Sequence, residues 1–364
     1  MFTCNLQDVC SGYRDGAVAT VIQGAIMTIA GVHRRWNPLK KEYVLVSPHR
    51  LQRPWQGQME DGSVAEEIQY DPNCFLCPGN TRASEDINDD YTTTFTFKND
   101  FSALLPAEQD DAQKKDEKMQ KSELFKSQAC SGECHVICFS PNHNKTMGKM
   151  SAEEVLNVVV QWTTSFKEKC ELYKHCQIFE NKGAVMGCSN PHPHGQMWCS
   201  DYYPSMVETE IEAQAEYQNK NGKLMLIDYV QQELEKKERV IYSNTWFVVL
   251  TPFWSCWPYE LLILPRVQMQ TLIDFTHEQQ KDMADVLKRT TMIYDRLFNI
   301  TFPYSMGLHQ VREEGFTFHI HFYPPLLNGT RKKFIAGFEL LAECQRDSLV
   351  ETVAIELRKI NSTF

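Results

Sequence analysis

Residues 190–196 read Asn190-Pro191-His192-Pro193-His194-Gly195-Gln196, and residues 318–322 read Phe318-His319-Ile320-His321-Phe322. In extended backbone, residues two apart face the same side, so each stretch projects two imidazoles from one face, roughly 7 Å apart at Cα. In the first stretch Pro191 and Pro193 remove two backbone donors and fix φ. That sets the pair on a stiff segment at a sheet edge or strand end. In the second, strict alternation turns Phe318, Ile320 and Phe322 toward a core and both histidines to the opposite face.

Outward from these stretches the chain repeats itself. A strand at His135–Phe139 leads to Pro141, and a strand at Leu261–Leu264 leads to Pro265, 124 residues later. Ser151, with Glu153 and Glu154 behind it, opens an amphipathic helix, and Thr276, with Glu278 and Gln279, opens another 125 residues on. Met186-Gly187 precedes the first histidine pair and Met306-Gly307 the second, at offsets of 120 for the glycines and 127 for His194 and His321. Four landmarks in one order at nearly one offset indicate a duplicated unit of strand, helix, strand and His-x-His. The pattern predicts an α+β fold, with a mainly antiparallel sheet and flanking helices, rather than a doubly wound one. It divides the chain into an N-terminal extension (1–32), a first unit (33–205) and a second (206–364).

Composition agrees with a globular enzyme. The 364 residues are 42% apolar and 23% charged, which excludes collagen-like, low-complexity and largely disordered chains. A formal net charge of −10 disfavours a nucleic-acid partner, and it means a phosphorylated substrate must be held by local donors. No stretch approaches the roughly 20 apolar residues of a membrane helix. The longest apolar-rich run, Ala17–Ala30, is interrupted by Gln23, and Asp8 and Asp15 beside Arg14 do not make a signal-peptide n-region. Thirteen cysteines in a chain of this length fit reduced thiols or metal ligands, so a cytoplasmic location is expected. Residues 106–126, rich in Asp, Glu, Lys and Gln, read as a solvated loop, an exposed helix or a disordered segment.

Three clusters carry chemistry. Small and polar residues run from Asn181-Lys182-Gly183 through Gly187-Cys188-Ser189-Asn190, which suits backbone approach to a phosphate. Cys74-Phe75-Leu76-Cys77 lies between Asp71-Pro72-Asn73 and Pro78-Gly79, on a tight turn. Such a turn brings two thiolates to one zinc ion, with His143 and His192 as completing ligands, although a redox pair or two incidental thiols match the same spacing. His319 and His321 can share a metal with His309, or be plain surface-facing strand histidines.

Taken together, Cys74–Cys77, Ser140-Pro141-Asn142-His143, Phe179–Gly183, Gly187–Gln196, Ser47-Pro48-His49-Arg50 with Arg53-Pro54-Trp55, Tyr323–Leu327, Arg331–Phe334 and Gly337-Phe338-Glu339 resemble the galactose-1-phosphate uridylyltransferase family of the histidine-triad superfamily. The resemblance runs from about His33 to Arg346, and it implies tandem duplicated histidine-triad units, in agreement with the repeat. It also implies roles: His194 as nucleophile, Gln196 as donor to phosphoryl oxygens, and Cys74, Cys77, His143 and His192 as zinc ligands. Ala83, Asn99, Asp100, Asn181, Gly187, Cys188 and Ser189 match positions lining the uridine and phosphate site, and Arg50 and Arg53 match basic residues near the phosphates. Lys333, Phe334, Phe338, Glu339 and Gln345 match a hexose-side segment that reaches in from the partner of a homodimer. Glu210, His309, His319 and His321 match a second metal site, of iron (Fe2+) or a second Zn2+. Two departures stand out: the segment between His309 and His319 is several residues shorter than usual, and Phe338 replaces a common Tyr.

The reaction so implied exchanges UMP between UDP-glucose and galactose 1-phosphate, giving UDP-galactose and glucose 1-phosphate, by ping-pong catalysis through a uridylyl-histidine in galactose metabolism. A related histidine-triad nucleotidyltransferase, such as an ADP-sugar phosphorylase, would use the same nucleophile, because a site lined by small residues does not name the base.

Overall fold

Both histidine pairs lie at strand ends or within strands of one continuous sheet. The structure, a computed structural model, describes residues 31–52, 68–107, 123–329 and 331–364. The apolar run at Ala17–Ala30, Arg53 and most of the polar segment 106–126 lie outside the described residues. Strands β1 (His33–Asn37) and β2 (Glu42–Val46) pair antiparallel. The large sheet comprises β3 (Phe95–Lys98), β4 (Gly132–Cys138), β5 (His175–Lys182), β6 (His194–Ser200), β7 (Val240–Ser243), β8 (Phe247–Leu250), β9 (Leu261–Pro265), β10 (Tyr304–His309) and β11 (His319–Tyr323). Its nine strands run in the order β3-β4-β6-β5-β10-β11-β9-β8-β7. A short β12 (Gln345–Arg346) joins β2 in parallel and completes the small sheet.

The strand order is a palindrome about the β5–β10 seam: β4-β6-β5 on one side mirrors β9-β11-β10 on the other. All pairings in the large sheet are antiparallel. The duplication read from the sequence therefore becomes two halves of one sheet, joined where Ser305 pairs with Asn181. Pro191 and Pro193 precede the first residue of β6, which is an interior strand, so the prolines mark a strand end and not an edge. They cost no ladder bonds there, and the Pro193 carbonyl accepts from Phe139 N at 2.9 Å.

Helices α1 (Ala152–Lys169) and α4 (His277–Leu297) pack together on one face. Both open on the capping boxes expected of them. Ser151 Oγ accepts from Glu154 N while the Glu154 carboxylate accepts from Ser151 N, and Thr276 and Gln279 do the same. Val155, Val158, Val159, Trp162 and Phe166 form the buried stripe of α1, at helical spacing. Phe139 meets Trp162 edge-on at 5.7 Å, tying β4's exit to that helix. Helix α5 (Val350–Asn361) joins the same core through Val353, Ala354 and Leu357.

Along β5 the burial alternates, with Cys176, Ile178, Glu180 and Lys182 buried and Gln177, Phe179 and Asn181 only partly so. The second set points away from the core helices. Helices α2 (Ser205–Asn221) and α3 (Met225–Lys236) cover the β8–β9 end of that other face, where Leu226 and Val230 cluster with Val248, Leu250, Leu262 and Leu264. The remainder, over β6, β5 and β10, displays His194, Gln196 and Asn181. Among the described residues no helix is long and apolar enough to cross a membrane.

Candidate active site and metal-binding clusters

The Cys74–Cys77 turn is pinned by side chains. Cys74 N donates to Asp71 O at 3.1 Å, and Asn80 Nδ2 donates to the carbonyls of Asp71 and Cys74. Asn88 Nδ2 holds the carbonyls of Phe75 and Cys77, and Tyr91 OH donates to Leu76 O at 2.5 Å. Onto this turn fold His143, which follows β4, and His192, which precedes β6. The Nδ1 atom of each lies 3.5 Å from Cys77 Sγ. All four side chains, Cys74 included, are buried, and their ligand atoms lie within 4.8 Å of one another. Burial pushes the Cys77 thiol up to about 11 and the His192 imidazole down to about 4. A buried thiolate needs a cation to hold it, and two sulfur and two nitrogen donors converging here are such a set. His192 Nε2 lies 2.8 Å from Ser140 O, so that nitrogen carries the proton and Nδ1 is left bare toward the thiols.

Two residues on, His194 opens β6. Its Nδ1 lies 2.7 Å from the backbone carbonyl of His192. A carbonyl only accepts, so Nδ1 carries the proton and Nε2 presents its lone pair. Burial lowers the imidazole's affinity for a second proton, against the opposing pull of that carbonyl, which keeps the ring neutral. On the same face of β6, Gln196 accepts from Trp198 Nε1 at 2.9 Å. One strand over, Asn181 Oδ1 accepts from Ser305 Oγ at 2.6 Å. Gly183 and Gly187 carry φ of 88° and 79°, which only glycine adopts at low cost, and they turn the chain between Asn181 and Cys188. Cys188 is half-buried and Ser189 exposed.

A second buried group crosses the other half. Glu210 on α2, wholly buried, places Oε2 2.6 Å from His309 Nδ1 and 3.5 Å from His319 Nε2, with Oε1 3.8 Å from His321 Nε2. His319 Nε2 and both ring nitrogens of His321 are buried without hydrogen-bond partners. The ligand atoms of all four residues again fall within 4.8 Å of one another. The surface-facing reading of His319 and His321 is thereby overturned: alternation gave the face correctly, but α2 covers it. Orphaned imidazole nitrogens around a buried carboxylate fit a divalent metal.

Comparison with known proteins agrees with this geometry. Residues 24–204 match the family model described as galactose-1-phosphate uridyl transferase, N-terminal domain, and residues 210–364 match its C-terminal domain. Galactose-1-phosphate uridylyltransferase of Haemophilus influenzae is 46% identical over 335 residues, covering 90% of this chain and 94% of its own. That of Schizosaccharomyces pombe is 46% identical over 348 residues, with the same coverage. The chain belongs to the galactose-1-phosphate uridylyltransferase family. A solved uridylyltransferase superposes with a TM-score of 0.70 at 24% identity, covering 91% of this chain and 98% of that one, and shares the fold. An ADP-glucose phosphorylase of Arabidopsis thaliana shares it too, with a TM-score of 0.69 at 20% identity over 90% of this chain and 99% of that one.

The other residues expected from the family resemblance fall into two groups. Asn99 and Asp100 follow β3 beside Ala83: Ser84 N donates to Asp100 Oδ2 at 3.3 Å, and Arg82 Nε lies 3.4 Å from Asp100 Oδ1. Arg82, which the sequence reading missed, also lies 4.3 Å over the Phe97 ring. Beside the small sheet Lys333 Nζ donates to Glu339 Oε1 at 2.6 Å and to Gln345 O of β12, and Arg50 and Gln345 both reach Asp347. Phe334 and Phe338 are exposed. No hydrogen bond or ring contact among the described residues links this second group to His194, Gln196 or Asn181. Sequence reasoning also missed Tyr91, Asn80, Asn88, Trp198 and Ser305, each a lone donor side chain that no periodicity announces.

Proposed function

We propose that this family member passes UMP from UDP-glucose to galactose 1-phosphate through a uridylyl group bonded to Nε2 of His194. The exchange between those sugar phosphates, in galactose metabolism, comes with the family. The covalent route and the residue roles are this chain's own reading. The observation that carries it is the 2.7 Å bond from His194 Nδ1 to the His192 carbonyl, which leaves Nε2 as a neutral, unprotonated nucleophile.

In the first half-reaction the Nε2 lone pair forms a P–N bond at the α-phosphorus while the P–O bond to glucose 1-phosphate breaks. In the second, a phosphate oxygen of galactose 1-phosphate forms the new P–O bond, the P–N bond breaks, and UDP-galactose leaves. Charge on the phosphoryl oxygens falls to Gln196, Asn181 and the backbone from Gly187 through Ser189, with Arg50 and Arg53 as the basic residues of the family pattern, in a chain whose net charge of −10 offers no general attraction. Ala83, Asn99 and Asp100 serve the uridine end.

The S2N2 set of Cys74, Cys77, His143 and His192 suits zinc, whose part when bound is structural, since four protein ligands leave no open position. Glu210, His309, His319 and His321 suit iron or zinc. Lys333, Phe334, Phe338, Glu339 and Gln345 serve the hexose of a partner subunit's site in a homodimer. Exposed Phe334, Ile335, Phe338, Leu340 and Leu341 in one short segment support that reading. Eleven described cysteines are free thiols, in keeping with a cytoplasmic location. The units 33–205 and 206–364 are the two halves of this machinery, one with the nucleophile and one with the hexose-side segment.

The test is isotope exchange between UDP-glucose and labelled glucose 1-phosphate with no galactose 1-phosphate present. A covalent intermediate gives exchange at a rate comparable with turnover; no exchange under turnover conditions contradicts it. Running ADP-glucose with phosphate alongside separates the phosphorylase chemistry.

A further inference from the structure

Gln196 and Trp198 lie two apart on β6, so both project onto the face that carries His194. The indole Nε1–H of Trp198 reaches the Gln196 side-chain oxygen at 2.9 Å. A carboxamide has two chemically opposite ends, and a phosphoryl oxygen takes a hydrogen bond only from the nitrogen end. Indole is a donor and never an acceptor, so this contact has one polarity: Oε1 faces Trp198 and Nε2 faces away from it. Trp198 is itself held, because Phe179 on the neighbouring strand meets its ring edge-on at 5.6 Å. Cys134 and Gln177 flank it in register on β4 and β5.

We propose that Trp198 is a positioning residue for the transfer, acting through Gln196. It holds the carboxamide nitrogen-outward, so that a hydrogen-bond donor, and not an acceptor, meets the charge that grows on the phosphoryl oxygens. This rests on the reading of Gln196 as the phosphoryl donor. Without the indole N–H the amide is free to rotate, and its oxygen can turn toward the phosphate, where it repels. The donor is then present in only part of the population, and the rate suffers more than ground-state binding does.

The test is Trp198→Phe, which keeps an aromatic ring against Phe179 and deletes the N–H. Trp198 is only half-buried, so the fold tolerates the change, and melting temperature is recorded beside the kinetics. Uridylylation by UDP-glucose, followed by rapid quench, should slow about tenfold, the scale of one hydrogen bond. KM for galactose 1-phosphate should stay within about twofold, since loss of one interaction made at the transition state lowers kcat alone. The deciding readout is a double-mutant cycle: in a Gln196→Ala background Trp198→Phe should cost nothing further. If Gln196→Ala slows uridylylation strongly but Trp198→Phe does not, or if the two losses multiply, the positioning role is wrong while the role of Gln196 stands. If Gln196→Ala itself leaves uridylylation unchanged, both fall together.

Discussion

The proton on His194 Nδ1 is held by the carbonyl of His192, 2.7 Å away, and the His192 side chain belongs to a buried four-residue cluster that could hold a metal ion. One residue thus fixes the tautomer of the proposed nucleophile with its backbone and anchors the strand end with its imidazole. Pro191 and Pro193 stiffen the backbone between those two duties.

That coupling makes the first cluster's integrity a matter of folding. Cys74→Ser should lower zinc content well below one ion per chain and lower the melting temperature, measured by metal analysis and calorimetry on the same sample. Full zinc content in the Cys74→Ser protein contradicts the ligand set.

The second cluster is expected to be structural. His319 is wholly buried and ties β11, through Glu210, to α2. His319→Asn should cost about 1–2 kcal/mol and several degrees in melting temperature. Turnover per folded enzyme should stay within about tenfold. A fully stable variant with turnover down about a thousandfold would make this cluster catalytic.

How far the sequence carried this architecture depends on the kind of signal. The capping boxes at Ser151 and Thr276 and the alternation of Phe318 to Phe322 are local rules, and all appear in the structure. The two offsets of 124 and 125 residues exposed the duplication. What they could not convey is that the halves share one sheet along the β5–β10 seam, because antiparallel pairing of Asn181 with Ser305 is a long-range register with no local mark. Burial of His319 escaped for a related reason: alternation assigns a face, and only the tertiary fold says what covers it. The bracing by Tyr91, Asn80 and Asn88 consists of lone side chains meeting backbone carbonyls, which no periodicity announces.

Glu180 gives a pH signature separate from the two His-containing clusters. It lies on the core side of β5, where Tyr304 OH donates to Oε2 at 3.0 Å, and burial pushes its carboxyl up to about 7 against the opposing effects of Lys182 and Tyr304. Between about 4.5, its ordinary value, and about 7 the folded chain holds a proton that the unfolded chain has lost. Stability therefore falls as pH rises through that window. Glu180→Gln keeps an acceptor for Tyr304 and removes the charge, so it should stabilise the protein at pH 8 by on the order of 2–3 kcal/mol and flatten the dependence. Urea unfolding at pH 5 and pH 8 checks this; equal stability of the two proteins at pH 8 contradicts it.

Composite sites predict complementation. His194→Ala and Glu339→Ala chains, each of low activity alone, should regain part of the wild-type rate in verified heterodimers, because one composite site then carries both native residues. No recovery means that each chain builds its own site.

The central claim, a uridylyl group on Nε2 of His194, is tested most directly by mass spectrometry of the enzyme after brief exposure to UDP-glucose and quenching in base. The account predicts one uridylyl mass increment, labile to acid, mapping to the peptide containing His192 and His194, localised to His194 by fragmentation and missing from His194→Ala while that variant keeps its zinc. An adduct on any other residue, or catalytically competent enzyme that never carries one, would contradict it.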